Sequence, residues 1–138
     1  MAYDTDNIFA KILREEAPAF KVYEDEFSLA FMDVMPQVEG HTLVIPKDDA
    51  ENLHDVDPHI LGCTIQTTQK VAQAVKSAFE APGIMIAQLN GPAAGQTVFH
   101  LHFHILPRHE GLEFKMHARD MADFDLLASH AEKIRACL

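Results

Sequence analysis

The chain has 138 residues, enough for one domain with a buried core but too few for two domains of usual size. Its formal net charge of -10 at pH 7 argues against nucleic-acid binding, because that function uses clustered lysines and arginines to displace counterions from phosphates. The N-terminus lacks a basic region before an apolar run, and no apolar stretch approaches ~18 residues, so we expect no membrane segment. Cys63 and Cys137 form no CxxC pair, which favours a reducing, cytoplasmic setting.

The first part of the chain predicts a short helix followed by three strands. Thr5 or Asp6 can cap the helix, because both residue types favour that position. β-branched and aromatic residues then predict strands at 20–24 and 28–32, joined as an antiparallel hairpin. The apolar run 41–46 predicts a third strand that is buried.

The middle of the chain predicts one long helix. Asp55 or Asp57 with Pro58 opens it, and Pro82 with Gly83 stops it. Apolar or small residues at helical spacing predict its core face. This predicted stripe consists of Leu61, Ile65, Thr68, Ala72, Val75 and Phe79.

Two more strands, 84–89 and 98–106, complete a set of five. Five strands with one long helix favour an α+β domain with a mainly antiparallel sheet over a doubly wound one. Residues 109–124 show no clear period. Apolar residues at helical spacing predict a terminal helix that packs on the domain or on a partner subunit, namely Leu127, Ala131, Ile134 and Leu138.

The segment 90–107 carries the chemistry. His100, His102 and His104 alternate with apolar residues, and successive side chains of a strand point to opposite faces, so the three imidazoles should share one face. Glycines in the preceding loop, together with Gln96 and Thr97, should present hydrogen-bond donors to an anion.

Three interpretations of this histidine row remain open on the residues alone. Purely structural histidines are disfavoured, because imidazoles buried side by side are costly without partners. Imidazoles at i and i+2 on a strand can share a zinc ion, although no further ligand stands nearby except His41. Nucleophilic catalysis on phosphorus is favoured, since a neutral imidazole is a competent nucleophile and the loop can stabilise developing charge.

The row His100 to Leu106 resembles the histidine triad (HIT) signature, in which three histidines alternate with apolar residues. Blocks at 6–12, 31–33, 40–47 and 94–98 are similar to family blocks in the same order, so the resemblance covers about 6–108 as a HIT domain, with 109–138 as a tail. The first half is most similar to the Hint branch and its bacterial relatives. The loop 91–97 also resembles the Fhit branch.

The resemblance implies a five-stranded antiparallel sheet with one long helix, paired with a second copy into a homodimer with a continuous sheet. It also implies release of a nucleoside monophosphate, AMP in the first instance, from a phosphoramidate or phosphoanhydride. No cofactor, metal or nucleic acid is implied. A Fhit-type diadenosine polyphosphate hydrolase and a nucleotide-binding adaptor are the alternatives.

Site residues follow from the resemblance position by position. His102 matches the nucleophile that becomes nucleotidylated, His100 and His104 its flanking partners, and His41 a supporting fourth histidine. Asp33 matches the carboxylate that binds the ribose hydroxyls. Thr97 matches a residue that contacts the leaving group, and Gly95, Gln96 and Val98 lie beside it on the phosphate loop. Asn90 follows Leu89, where the Hint branch has an asparagine, and is a further substrate-binding candidate. Ile8, Phe9, Ile12, Phe31 and Leu43 match the apolar walls of the base pocket.

One departure from the resemblance concerns zinc. Many bacterial relatives hold a structural zinc through two cysteines of the first helix and a histidine after the third strand. Those positions are Asn7, Ala10 and Asp49 in this chain. Because all three ligands are replaced together, we expect no zinc there.

Overall fold

The computed structural model describes residues 2–111 and 120–138. The sequence folds into one five-stranded antiparallel sheet with helices on its two faces. In chain order the elements are α1 (Ile8–Leu13), β1 (Lys21–Glu24), β2 (Ser28–Met32), β3 (Thr42–Pro46), α2 (Pro58–Ala78), β4 (Gly83–Ala87), a single 3-10 turn (Pro92–Ala94), β5 (Phe103–Arg108) and α3 (Phe124–Arg135).

The strand order is β1-β2-β3-β5-β4, so β4 and β1 are the edges of the sheet. The predicted hairpin is confirmed, with Glu24 paired to Leu29 across its turn. β5 enters between β3 and β4, where His104 pairs with Leu43 on one side and with Ala87 on the other. The triad segment therefore lies in the middle of the sheet.

Each face of the sheet has its own apolar cluster, as alternation in the strands requires. On one face α2 and α3 pack together against the sheet, with Val44 and Ile105 contributed by β3 and β5. On the other face α1 packs against residues that alternate with those, such as Leu43. The histidines of the row lie on the α1 face.

Helix caps differ in part from the prediction. α2 begins at Pro58 with Asp57 as its cap, and the Asp57 carboxylate accepts from the backbone N–H groups of the first turn. α1 is capped by Asn7, whose Oδ1 accepts from Ala10 N at 2.9 Å, and not by Thr5 or Asp6. Asparagine is as good a cap as aspartate, so the residue type alone did not decide between neighbours.

The predicted core stripe of α2 is wrong in part. Thr68 and Val75 are buried, but Ile65 is 43% exposed and Leu61, Ala72 and Phe79 are only half-buried. The observed core face is rotated and includes three threonines. The hydroxyls of Thr64 and Thr68 donate to carbonyls one turn earlier in α2, and that of Thr67 is hydrogen-bonded to Ser28 of β2. The buried residues are Ile60, Thr64, Thr67, Thr68, Val71, Ala74, Val75 and Ala78.

The tail contains α3, and three of the four predicted apolar positions, Leu127, Ala131 and Ile134, lie in the core. Leu138 lies beyond the helix and is exposed. Part of the stretch 109–124, for which the sequence predicts no period, falls at 112–119 and so lies outside the described residues. In the two described segments, no helix is both long and apolar enough to span a membrane.

Candidate active site

The histidine row is shorter as a strand than the sequence predicts. β5 begins at Phe103, so only His104 lies in regular strand, and His100 and His102 lie in the extended segment before it. The three rings still share one face, because Phe9 of α1 packs edge-on against His100 and His102 with centroids 6.5 and 5.0 Å apart. The rings of His102 and His104 lie 4.9 Å apart.

His100 is fully buried, and both of its ring nitrogens are hydrogen-bonded. Its Nε2 lies 2.8 Å from the Pro46 carbonyl oxygen, which can only accept, so Nε2 carries the proton. Its Nδ1 is bonded to the hydroxyl of Tyr3. Burial lowers the pKa of His100, against a smaller opposing effect of the Pro46 bond, so the ring is neutral at pH 7.

His102 has its lone pair on the nitrogen that faces away from the backbone. Its Nδ1 lies 2.6 Å from the carbonyl oxygen of His100, so Nδ1 donates and Nε2 is the unprotonated nitrogen. Burial lowers the pKa of His102, although the bond to the His100 carbonyl raises it in part. A neutral ring of fixed tautomer is the state that a nucleophilic imidazole needs.

His41 connects the row to a neighbouring carboxylate. The backbone N–H of Gln37 donates to His41 Nδ1 at 3.1 Å, so the proton of the neutral ring lies on Nε2. That Nε2–H donates to His104 Nδ1 at 2.9 Å, which leaves the His104 proton on its own Nε2. Burial, with smaller contributions from His104 and His102, lowers the pKa of His41 to about 3.

Asp33 lies at this outer end of the row. Its Oδ1 accepts from the backbone N–H of Met35 at 2.8 Å, and its Oδ2 lies 3.4 Å from His41 Nε2. Because His41 is neutral, that second contact is not an ion pair. Burial raises the pKa of Asp33 to about 6, only partly offset by the Met35 bond, so the carboxylate is close to its titration point at neutral pH.

The loop before the row is organised differently from the prediction. Gln96 does not offer its side chain to a ligand, because Nε2 donates to the carbonyls of Glu51 and Val98 while Oε1 accepts from Gly91 N. The backbone N–H groups of Gly95 and Gln96 close the turn on Pro92 and Gly91. The loop is therefore held by its own amides, and Gly95 supplies a left-handed residue at φ 99°.

Asn90 is likewise engaged by the fold. Its Oδ1 accepts from Leu53 N at 2.8 Å and from Gln88 Nε2 at 2.7 Å, and its Nδ2 donates to Gln88 Oε1 at 2.9 Å. Its side chain thus ties the end of β4 to the loop after β3, which is a structural role. Thr97 is exposed, and Val98 packs on the α1 face.

Most of the predicted base-pocket residues form part of the core. Phe9 stacks edge-on with Phe31, at a centroid distance of 5.4 Å, and all but one of the set are buried in the cluster under α1. Ile8 is the exception, at 47% exposed. The buried members are Phe9, Ile12, Phe31 and Leu43.

Asp33, His41 and His104 are the set within the described residues whose ligand atoms lie close enough for a metal ion, all within 4.8 Å. The hydrogen bonds oppose that use, because the Gln37 N–H keeps the His41 proton on the nitrogen that would have to ligate. The triad rings do not converge on an ion either, since both nitrogens of His100 are bonded to protein atoms.

Three contributions to the site carry no signal in the sequence. The Pro46 and His100 carbonyls are backbone groups, and every residue of a protein has such a group. Tyr3 lies 97 positions before its partner and ahead of every predicted element. Only the distance between residues in the folded chain reveals these contacts.

Known proteins with similar sequences and structures share this arrangement of chain. The model of the HIT domain family matches residues 14–111. "Protein hit" of Bacillus subtilis is 41% identical over 124 residues, covering 86% of each chain. The adenosine 5'-monophosphoramidase HNT1 of Saccharomyces cerevisiae is 36% identical, covering 98% of this chain and 84% of the yeast protein. A Hit-like protein from Bartonella henselae superposes with a TM-score of 0.93 at 52% identity, over 99% of this chain and 100% of that one.

Proposed function

The chain belongs to the HIT domain family, and on that premise we propose that it is a hydrolase that releases a nucleoside monophosphate from phosphoramidates or phosphoanhydrides. The observation that carries the proposal is the proton arrangement at His102. Its Nδ1–H donates to the His100 carbonyl, which leaves the lone pair on Nε2, and the ring of His104 lies 4.9 Å away between centroids. The name of the yeast relative, an AMP phosphoramidase, supports AMP as the released nucleotide.

Two displacements at phosphorus make up the proposed reaction. In the first, His102 Nε2 attacks the α-phosphorus and the bond from phosphorus to the leaving nitrogen or oxygen breaks. The positive charge that develops on the ring is stabilised by the His100 carbonyl, 2.6 Å from Nδ1. In the second, water attacks phosphorus and the phosphorus–nitrogen bond breaks, which releases the nucleoside monophosphate and restores neutral His102.

His104 assists the group that leaves. Its Nδ1 accepts from His41, so the Nε2–H is directed away from His41 and can donate to a phosphoryl oxygen or to the leaving atom. His41 is buried and does not reach the substrate; it fixes the His104 tautomer. The resemblance makes the hydroxyl of Thr97, which is exposed, the candidate for contact with the leaving group.

The nucleoside would be held at the outer end of the row. Asp33 can accept two hydrogen bonds from the ribose hydroxyls, because a carboxylate has acceptor capacity beyond the Met35 and His41 contacts. Ile8 exposes apolar surface next to the buried Phe9, where a base can pack. Gly95, Gln96 and Asn90 contribute by holding the loop in shape through their own hydrogen bonds.

The test is covalent trapping combined with turnover. Brief mixing with an adenosine phosphoramidate should give an acid-labile adduct of nucleotide mass on His102, seen by mass spectrometry. His102→Ala should lose the adduct and at least about a thousandfold in kcat. His54→Ala, at an exposed histidine outside the triad, should lose neither. A fully active His102→Ala protein would refute the assignment.

A second measurement separates the two kinds of hydrolase. The ratio of kcat/KM for an adenosine phosphoramidate to that for a diadenosine polyphosphate reports which transition state the site binds better. A phosphoramidate preference supports the phosphoramidase assignment. A polyphosphate preference would favour the Fhit-type alternative, and tight AMP binding without turnover would favour the adaptor.

We also propose that two copies pair through β4 and α2. β4 is an edge strand, and an unpaired edge beside an apolar surface normally has a cover. Ile65 and Ile86 are both 43% exposed, and they line a groove of about 390 Å³ between the two elements. Pairing of two β4 edges would extend the sheet across both copies, as the family resemblance implies.

Charge at the centre of this groove tests the pairing. Ile86→Asp should convert a dimer into a monomer in light scattering after gel filtration, because the carboxylate would be buried without a partner. Leu126→Asp is the matched control, since Leu126 is 42% exposed on α3, away from the groove. A monomeric wild-type protein, or a dimeric Ile86→Asp variant, would contradict the proposed interface.

The cytoplasm remains the proposed location. Both cysteines, Cys63 and Cys137, are free thiols, as a reducing compartment would keep them. Cell fractionation with an antibody to the protein tests this directly, and recovery from a secreted fraction would contradict it.

A further inference from the structure

Tyr3 lies ahead of α1 and reaches the buried end of the histidine row. Its ring meets His100 edge-on, with centroids 5.6 Å apart and planes at 70°. Its hydroxyl is hydrogen-bonded to His100 Nδ1. Asn7, the cap of α1, donates from Nδ2 to the same hydroxyl oxygen at 2.9 Å.

The direction of these bonds is fixed by chemistry. The Pro46 carbonyl requires the His100 proton on Nε2, so Nδ1 of the neutral ring can only accept. The Tyr3 hydroxyl must therefore donate to it, and the Asn7 amide, which donates to the phenol oxygen, directs the phenol proton towards the ring. Burial and the charge of Asp49 raise the pKa of Tyr3 against the lowering effect of Asn7, so the phenol keeps its proton.

Tyr3 lies near residues that stand at the positions of the family's zinc ligands, namely Asn7 and Asp49. Asn7 binds the hydroxyl through Nδ2 and the N–H of Ala10 through Oδ1. Asp49 is close enough to act on Tyr3 electrostatically. In this chain Tyr3 is therefore bonded to a residue that stands at one of the positions where the resemblance would place a metal ligand.

Tyr3 acts on His102 through His100. The His100 ring is held at both nitrogens, by Tyr3 on one side and by Pro46 on the other. The carbonyl of the same residue accepts the Nδ1–H of His102 at 2.6 Å. A His100 that cannot rotate or change tautomer keeps that carbonyl, and hence the His102 lone pair, in place.

We propose that Tyr3, supported by Asn7, is a positioning residue of the reaction: its hydroxyl fixes the tautomer and orientation of His100, whose carbonyl orients the nucleophile His102. Tyr3 does not touch the substrate. The assignment rests on the proposed hydrolase function for its kinetic consequence, but the tautomer of His100 can be measured without any substrate.

Tyr3→Phe tests the proposal, because it removes the hydroxyl and keeps the ring. We expect kcat to fall about fivefold, the effect of one lost hydrogen bond, with KM unchanged within about twofold. Asn7→Ser keeps a capping oxygen and removes the amide donor, so it should give a smaller loss in the same direction. Tyr23→Phe is the matched control, since the Tyr23 hydroxyl bonds Asp25 at 3.1 Å away from the row and its loss should leave kcat unchanged.

Nitrogen NMR of labelled histidines gives the second readout. In the wild-type protein His100 should show an unprotonated, hydrogen-bonded Nδ1, and Tyr3→Phe should shift that signal while Tyr23→Phe leaves it in place. An unmoved Nδ1 signal, an unchanged kcat, or an equal loss in Tyr23→Phe would overturn the proposal. A wild-type protein without turnover would refute the hydrolase function instead, and the nitrogen spectrum would still decide whether Tyr3 holds the ring.

Discussion

The two ends of the histidine row are built on different principles. At the inner end, His100 and His102 are fixed by groups that do not titrate near neutral pH, namely two backbone carbonyls and a phenol. At the outer end, His41 donates a hydrogen bond to His104 beside Asp33, whose pKa is raised to about 6. The inner end fixes the tautomers of two neutral rings. The outer end holds the Asp33 carboxylate, whose charge is costly because the group is buried.

This difference separates attack from departure in the proposed reaction. A nucleophile benefits from a fixed lone pair, which the inner end provides without any formal charge. Binding of a ribose and assistance to a leaving group benefit from a strong acceptor and a donor, which the outer end provides. Substitutions at the two ends should therefore be distinguishable by what they depend on.

The largest effect expected from a substitution at the outer end concerns the leaving group. His104→Ala should lower kcat by about a hundredfold for a phosphoramidate that releases a basic amine, because that nitrogen needs the donor most. For a nucleotide ester of a nitrophenol the loss should be about tenfold or less. His102→Ala should be equally inactive on both substrates, and the exposed His54→Ala serves as control. Equal losses for both leaving groups in His104→Ala would remove the distinction between the ends.

The sheet was predictable because its signal is repeated along the chain. Short runs of apolar and β-branched residues predicted five strands, and β2 and β3 are buried on both faces of the sheet. The sequence did not predict the strand order, in which β5 lies between β3 and β4. The core face of α2 was not predictable in the same way. Buried threonines that bond the preceding turn look polar in the sequence, while Ile65 looks apolar and is exposed.

The placement of the candidate site residues was predictable where the pattern along the chain determines the face of the sheet. Three alternating histidines can hardly lie elsewhere than on one face, and Asp33 follows a strand that ends beside them. Gln96 misled because an amide in a glycine loop can serve a ligand or the loop, and here the loop takes all of it. The hydrogen bond of Tyr3 to His100 could not be predicted, since nothing local marks a contact over 97 positions.

The next effect is a loss of stability in acid that comes from the row itself. Burial lowers the pKa of His41, His100 and His102 in the folded state, so the unfolded state binds more protons below pH ~6.5. The free energy of unfolding therefore decreases as the pH is lowered. With its pKa at about 3, His41 alone should cost about 2 kcal/mol between pH 8 and pH 5. Asp33 opposes this by about 1 kcal/mol, because its raised pKa lets the folded state take up a proton first.

Urea unfolding followed by circular dichroism at several pH values measures this balance. His41→Gln should flatten the decline, because its unfolded state gains no proton at that position. A free energy of unfolding that stays constant from pH 7.5 to pH 5 would show that the rings of the row are not held neutral by burial.

The smallest effect has the opposite sign for folding and for function. Asp33→Asn removes a buried charge whose raised pKa indicates a cost at neutral pH, while the amide oxygen can still accept from Met35, so the free energy of unfolding should rise by about 1 kcal/mol. AMP affinity should fall about tenfold, because the amide accepts ribose hydroxyls less strongly. Asp25→Asn is the matched control. Burial acts on that carboxyl too, but N–H donors from Phe27 and Ser28 outweigh it and hold the pKa below its usual range, so the change should destabilise. If Asp33→Asn destabilises the protein as well, the Asp33 carboxylate does not cost free energy at neutral pH. The proposed contrast between the two ends of the row would then be wrong.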